Sequence, residues 1–229
     1  MELAESRAAR LVVIGFDGPT PTPEAAQLVA RGVRSIILFA RNAGAAPRSA
    51  VSATAAACKA LTSEPLLVCV DQEGGNTVRL TDGFDPPPPM REVGEGGAVA
   101  AGLVGARLAA DLRPVGIDLN LAPVVDVDSN PNNPIIGPRS FSREPATVGA
   151  CGAALITAMQ AGGVAACAKH FPGHGDTDTD SHHDLPVLRH DIERLRSVEL
   201  PPFRDAVAAG VAAVMTTHGA AVSSTACAN

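Results

Sequence analysis

A parallel α/β barrel of the (β/α)8 type is the fold that this 229-residue sequence predicts, and three observations carry it. Short apolar runs alternate with longer Ala-rich segments in one unbroken series. Each run is nearly continuous in apolar character rather than alternating, the pattern of strands covered on both faces. Polar clusters follow one run after another: Arg41-Asn42, Asp71-Gln72-Glu73, residues 126–139, residues 169–184 and His218. An open doubly wound sheet gathers its site at one topological switch point, whereas a barrel collects it from the ends of most strands. The predicted barrel is incomplete, with about six strand–helix units visible in the sequence.

The strands are expected at 11–16, 35–39, 66–70, 118–125, 164–168 and 213–216, where β-branched and apolar residues concentrate. Helices are expected at 23–31, 48–61, 98–112, 146–161 and 192–209. Thr22-Pro23-Glu24 is a strong start for the first, with a capping hydroxyl and a proline in the first turn. Four consecutive prolines make 84–89 a stiff extended loop. No linker or internal repeat interrupts the chain, so 1–229 reads as one domain. After His218 no further strand–helix pair is expected, which leaves the last two units of an eight-unit barrel missing.

Bulk properties narrow the function classes. A hydrophobic content of 46% with 18% charged residues is that of a globular chain able to bury a core. The net charge of −6 argues against nucleic acid, whose phosphates need a basic face. No apolar run is long enough to suggest a membrane span, and residues 1–10 lack a signal-like apolar core. The five cysteines are scattered without ligand spacing, as expected of reduced thiols in a cytoplasmic protein. With neither Trp nor Tyr, a long aromatic-paved carbohydrate cleft is not expected. A sugar site here would rest on hydrogen bonds and charge in a small pocket.

The richest chemistry lies in residues 169–186, which hold four of the six histidines and four aspartates directly after an apolar run. So many titratable groups at the end of a buried strand mark an active-site loop. Zinc or iron ligation by His170, His174, His182 and His183 with nearby aspartates is conceivable chemistry, but no HExxH spacing occurs. The glycine-rich stretch 94–105 shows neither GxGxxG nor a P-loop pattern.

Five segments carry a family resemblance: Val70-Asp71-Gln72-Glu73-Gly74-Gly75; Leu121-Ala122-Pro123-Val124-Val125-Asp126-Val127; Gly137-Pro138-Arg139-Ser140-Phe141; Lys169-His170-Phe171-Pro172-Gly173-His174-Gly175; and Asp180-Ser181-His182. In this order they resemble glycoside hydrolase family 3, and within it the bacterial β-N-acetylglucosaminidases, including those that recycle peptidoglycan fragments. The resemblance implies a retaining hydrolase that removes a terminal β-linked N-acetylglucosamine, without metal or organic cofactor. It implies that Asp180 and His182 form the acid/base dyad, His182 exchanging the proton and Asp180 orienting the ring. It also implies that Asp71, Arg79, Arg139, Lys169 and His170 hold the sugar. Gly173 and Gly175 are expected to serve loop geometry.

The sequence departs from the family at two points. The family's nucleophile is an aspartate after the seventh strand, and no segment here matches it, so no nucleophile is assigned. Asn76 stands where the family commonly has an arginine after the paired glycines. Two further functions stay open on these grounds: a catalytically silent sugar-binding protein, and a phosphorylase that transfers the sugar to phosphate. The oligomeric state is not legible.

Overall fold

The computed structural model describes residues 7–43, 45–177, 187–188, 190–217 and 220–221. Six parallel strands form its sheet: β1 (Val13–Ile14), β2 (Ser35–Leu38), β3 (Leu67–Val70), β4 (Leu119–Asn120), β5 (Ala165–Phe171) and β7 (Ala213–Thr216). They pair in the order β1-β2-β3-β4-β5-β7, so each strand lies beside its predecessor in the sheet. That sequential parallel order is the winding of a (β/α)8 barrel, here an incomplete one with β1 and β7 at its edges. A separate parallel pair joins β6 (Val187–Leu188) to β8 (Ala220–Ala221). No further strand–helix pair was expected after His218; β8 is a two-residue strand, and no helix follows it among the described residues.

Helices alternate with the strands. They are α1 (Pro23–Ala30), α2 (Ala40–Ala43), α3 (Arg48–Lys59), α4 (Met90–Glu95), α5 (Gly97–Leu112), α6 (Pro145–Ala161), α7 (Ile192–Arg194) and α8 (Leu200–Ala208). The Thr22 hydroxyl accepts from Ala25 N at 3.3 Å and Pro23 opens α1, as the sequence predicts. One long helix was expected over 192–209; instead a π-helical stretch, Leu195–Glu199, separates α7 from α8. Pro201 and Pro202 cannot donate to the preceding turn, so the regular ladder cannot run through.

The predicted strand 118–125 is also shorter than expected. Pro123 lacks the N–H that a central ladder needs, and only Leu119–Asn120 qualify. The chain beyond them stays extended between its neighbours: Cys167 N donates to Ala122 O at 2.9 Å and Val125 N to Lys169 O at 2.8 Å. β5 in turn runs three residues past its predicted end, carrying Lys169 and His170 within the strand.

The core lies between the sheet and the helices, where Ile36, Leu38, Val68 and Val70 meet Val51, Leu108, Leu155 and Met159. The two faces of the sheet are not equally covered. Ile36 and Leu38 of β2 are buried, while Ser35 and Ile37, on the opposite face, are half-buried. Small residues let α5 and α6 pack tightly: a Cβ on Gly105 would stand 2.4 Å from Leu155 O. Every strand of the main sheet points its C-terminal end the same way, so the residues following β3, β4 and β5 converge on one rim.

Candidate functional site

Two buried amides set the frame of that rim. Asn120 Oδ1 accepts from Gln72 N and Asn120 Nδ2 donates to Gln72 O, both at 2.9 Å, which locks the segment after β3 to β4. The Gln72 side chain then donates to Leu80 O and accepts from the amides of Arg79 and Leu80. Each polar group of these two buried side chains has a partner, as burial demands. Their effect is to place Asp71, Glu73 and Arg79 together at the rim.

Four charged side chains interlock there. Lys169 Nζ lies 2.8 Å from Asp71 Oδ1 and 2.6 Å from Glu73 Oε1. Arg139 reaches Glu73 from the other side, with Nε to Oε2 and Nη2 to Oε1 each at 2.8 Å. The two cations balance the two carboxylates. Glu73 and Lys169 are each only 3% exposed, so neither charge could stay buried without the other. Burial pushes the Glu73 carboxyl up, yet Arg139 and Lys169 outweigh it and hold it at about 2. Burial alone would lower the Arg139 guanidinium, but Glu73 holds it above its ordinary value.

His170 is fixed from a different strand end. Its Nδ1 lies 2.7 Å from Asp126 Oδ2, and its backbone N donates to Asp126 Oδ1 at 3.1 Å. His174 N donates to the same oxygen at 2.8 Å, and its ring Nδ1 meets Thr177 Oγ1 at 2.6 Å. The turn bearing these residues lies hard against the segment after β4. A Cβ on Gly175 would stand 1.6 Å from Val127 O, so only glycine fits there. Burial pushes the His174 imidazole below its ordinary value.

These groups open on a cavity of about 400 Å3, lined among others by Asp71, Arg79, Arg139, Lys169, His170 and Thr216. A second cavity of about 370 Å3 lies beside it, with Glu73 and Arg139 lining both. The structure thus brings Asp71, Arg79, Arg139, Lys169 and His170 to one cavity, with Lys169 and Asp71 in contact although 98 residues apart in sequence. Asp180 and His182 lie outside the described residues. One expectation changes in kind. The resemblance implies that Arg139 holds the sugar, but two of its donors are held by Glu73. Four residues given no role from the sequence prove central: Glu73, Asp126, Gln72 and Asn120. Asp126 follows an apolar run as Asp71 does, a signal that was available in the sequence.

With that geometry in hand, the comparisons with known proteins become specific. The family described as Glycosyl hydrolase family 3 N terminal domain matches residues 4–227. The chain belongs to glycosyl hydrolase family 3. A β-hexosaminidase of Thiobacillus denitrificans is 40% identical over 193 residues, covering 81% of this chain and 53% of that protein. A family 3 β-N-acetylglucosaminidase structure from Paenibacillus sp. str. FPU-7 superposes with a TM-score of 0.90 at 39% identity, covering 95% of this chain and 42% of that one. NagZ from Neisseria gonorrhoeae, in complex with N-trifluoroacetyl-D-glucosamine, gives a TM-score of 0.85 at 37% identity, covering 92% of this chain and 64% of that one. The chain therefore spans about half the length of the curated relatives it matches. Among the described residues of this family 3 chain, no group of three or more potential metal ligands occurs, and no helix is long and apolar enough to cross a membrane.

Proposed function

We propose that this chain holds the terminal sugar in a β-N-acetylglucosaminidase of family 3, acting on β-linked N-acetylglucosamine from peptidoglycan-type fragments in the cytoplasm. The observation that carries the reading is the charge-balanced Asp71–Lys169–Glu73–Arg139 network beside His170 and Arg79 on one cavity. Such a network offers fixed donors and acceptors to hydroxyl groups without rearranging, which is how a small pocket reads a sugar lacking aromatic platforms. The complex of the gonococcal relative with an N-acylated glucosamine supports the same substrate class.

In this reading Asp71 accepts from a sugar hydroxyl through Oδ2, since Oδ1 is held by Lys169. Lys169 has one N–H left after its two carboxylates, and Arg139 keeps Nη1. Arg79 brings a guanidinium with no ion pair among the described residues. His182 gives its proton to the leaving oxygen, then takes one from the incoming water, with Asp180 orienting the ring. The reaction retains anomeric configuration, which calls for a carboxylate nucleophile on the opposite face of the sugar. No residue of this sequence is assigned to that role.

Calorimetry with N-acetylglucosamine and glucose, together with nitrophenol release from nitrophenyl N-acetyl-β-glucosaminide, tests the reading. The 229-residue chain should bind N-acetylglucosamine in preference to glucose. A chain extended to the length of its relatives should hydrolyse the glycoside, and His182→Ala should remove most of that activity. Failure to bind either sugar sinks the proposal. Binding without turnover in the extended chain would indicate a silent sugar-binding protein, and phosphate-dependent release of sugar 1-phosphate would indicate a phosphorylase.

A further inference from the structure

We infer that Asp126 is the positioning residue of this site: it fixes the tautomer of His170, so that the sugar meets an imidazole Nε2 free to accept a hydroxyl proton. The Asp126 side chain is fully buried at the end of the segment following β4 and does not line the cavity. Its carboxylate is surrounded by donors. His170 N reaches both oxygens, at 3.1 and 3.3 Å, and His174 N reaches Oδ1 at 2.8 Å. The remaining contact is His170 Nδ1 at 2.7 Å from Oδ2. Burial opposes ionisation, but hydrogen bonds from His170 and from the His174 amide hold the carboxyl below its ordinary range. An ionised carboxylate can only accept. The hydrogen between the two groups must therefore sit on His170 Nδ1.

The consequence falls on the other ring nitrogen. His170 lines the cavity; with Nδ1 committed to Asp126 and no partner for Nε2 among the described residues, Nε2 is the nitrogen left for a ligand. In the neutral ring it carries a lone pair. That adds a second acceptor to a cavity also lined by the Asp71 carboxylate and the donors Lys169, Arg79 and Arg139. A site that combines acceptors with donors discriminates hydroxyls, which do both, from ethers and carbonyls, which only accept. Asp126 also ties together the segments that bear these groups. Its carbonyl oxygen accepts from Ser140 Oγ at 2.6 Å, next to Arg139. The part of this inference that concerns sugar affinity rests on the function proposed above; the tautomer does not.

Long-range 1H–15N NMR of the uniformly labelled 229-residue chain, in mildly alkaline buffer without sugar, reads the tautomer directly. The His170 ring should show a protonated Nδ1 and a bare Nε2. An Nε2-protonated ring in the wild type overturns the inference, whatever any variant does. Asp126→Asn should convert this single tautomer into a mixture and weaken N-acetylglucosamine binding tenfold or more. In a His170→Ala background the same change should cost no further affinity, because Asp126 acts through that ring. Equal losses in both backgrounds would mean Asp126 only supports the fold, and would also overturn it. If the wild type binds no N-acetylglucosamine, the proposed function fails, and the NMR result alone decides the role of Asp126.

Discussion

Two clusters in this molecule each set one glutamate between two cations, in opposite surroundings. At the N-terminal end of the sheet, Glu64 sits between two arginines, with Arg10 at 2.6 Å and Arg34 at 2.5 Å. At the C-terminal end, Glu73 sits between Arg139 at 2.8 Å and Lys169 at 2.6 Å. The Glu64 side chain is 45% exposed and that of Glu73 is 3% exposed. In water, the first trio exchanges hydration for contact at almost no net gain. In the second, Glu73 and Lys169 have given up nearly all hydration, each 3% exposed, and depend on every partner. A chain selected only for stability has no reason to assemble charges at such cost, and it does so at the end of the sheet where barrels place their sites.

The largest expected effect breaks the two trios in parallel. Glu73→Gln leaves Lys169 and Arg139 buried with only Asp71 to compensate them, and should destabilise the chain by roughly 3–5 kcal/mol. Glu64→Gln should leave the urea midpoint within experimental scatter. Equal midpoints for the two variants would dissolve the contrast. A further separation comes from salt: raising ionic strength should weaken whatever Glu64 contributes and leave Glu73 nearly untouched.

How far these features were legible in the sequence depends on whether local pattern or tertiary partnership decides them. The strand 213–216 matches its predicted bounds because an apolar run between breakers has no competing reading. The strand at 118–125 and the helix at 192–209 were overdrawn at Pro123 and Pro201-Pro202, where a missing N–H outweighs apolar pattern. In the site, Asp71, Lys169 and His170 stand out because they follow apolar runs. Glu73 did not, although it is the residue that both cations share, since nothing local shows that Arg139 will arrive from 66 residues away. Asn120 is a polar residue in an apolar run, and Gln72 lies two residues past the end of one; such residues must find partners if buried, and here they find each other.

Acid titration sharpens the contrast with a moderate effect. The Glu73 carboxyl is held at about 2 in the folded chain against an ordinary value of 4.5. A depressed folded value means that the stability Glu73 confers is fully present above 4.5 and is lost as pH falls toward 2. Glutamine does not titrate. The gap in urea midpoint between the wild type and Glu73→Gln should therefore be widest near neutrality and close across that window. A gap that stays constant down to pH 2 would show that the charge of Glu73 is not what stabilises the buried trio.

The smallest expected change in stability comes from the cation that neither trio uses. Arg79 lines the cavity and its guanidinium has no ion pair among the described residues; its Nε is buried without a hydrogen-bond partner. A donor left unsatisfied inside a fold costs stability rather than supplying it. Arg79→Ala should accordingly shift the unfolding free energy by less than about 0.5 kcal/mol, or raise it slightly. If that donor waits for a sugar oxygen, the same substitution should weaken N-acetylglucosamine binding by roughly 10- to 100-fold, the range of a lost hydrogen bond to a charged group. Paired measurements of urea unfolding and sugar affinity on one variant decide it. A large loss of stability with unchanged affinity would make Arg79 a structural residue and move the sugar-facing charge elsewhere on the rim. Lost affinity with intact stability would show that Arg79 serves the sugar and not the fold, beside the buried network that does both.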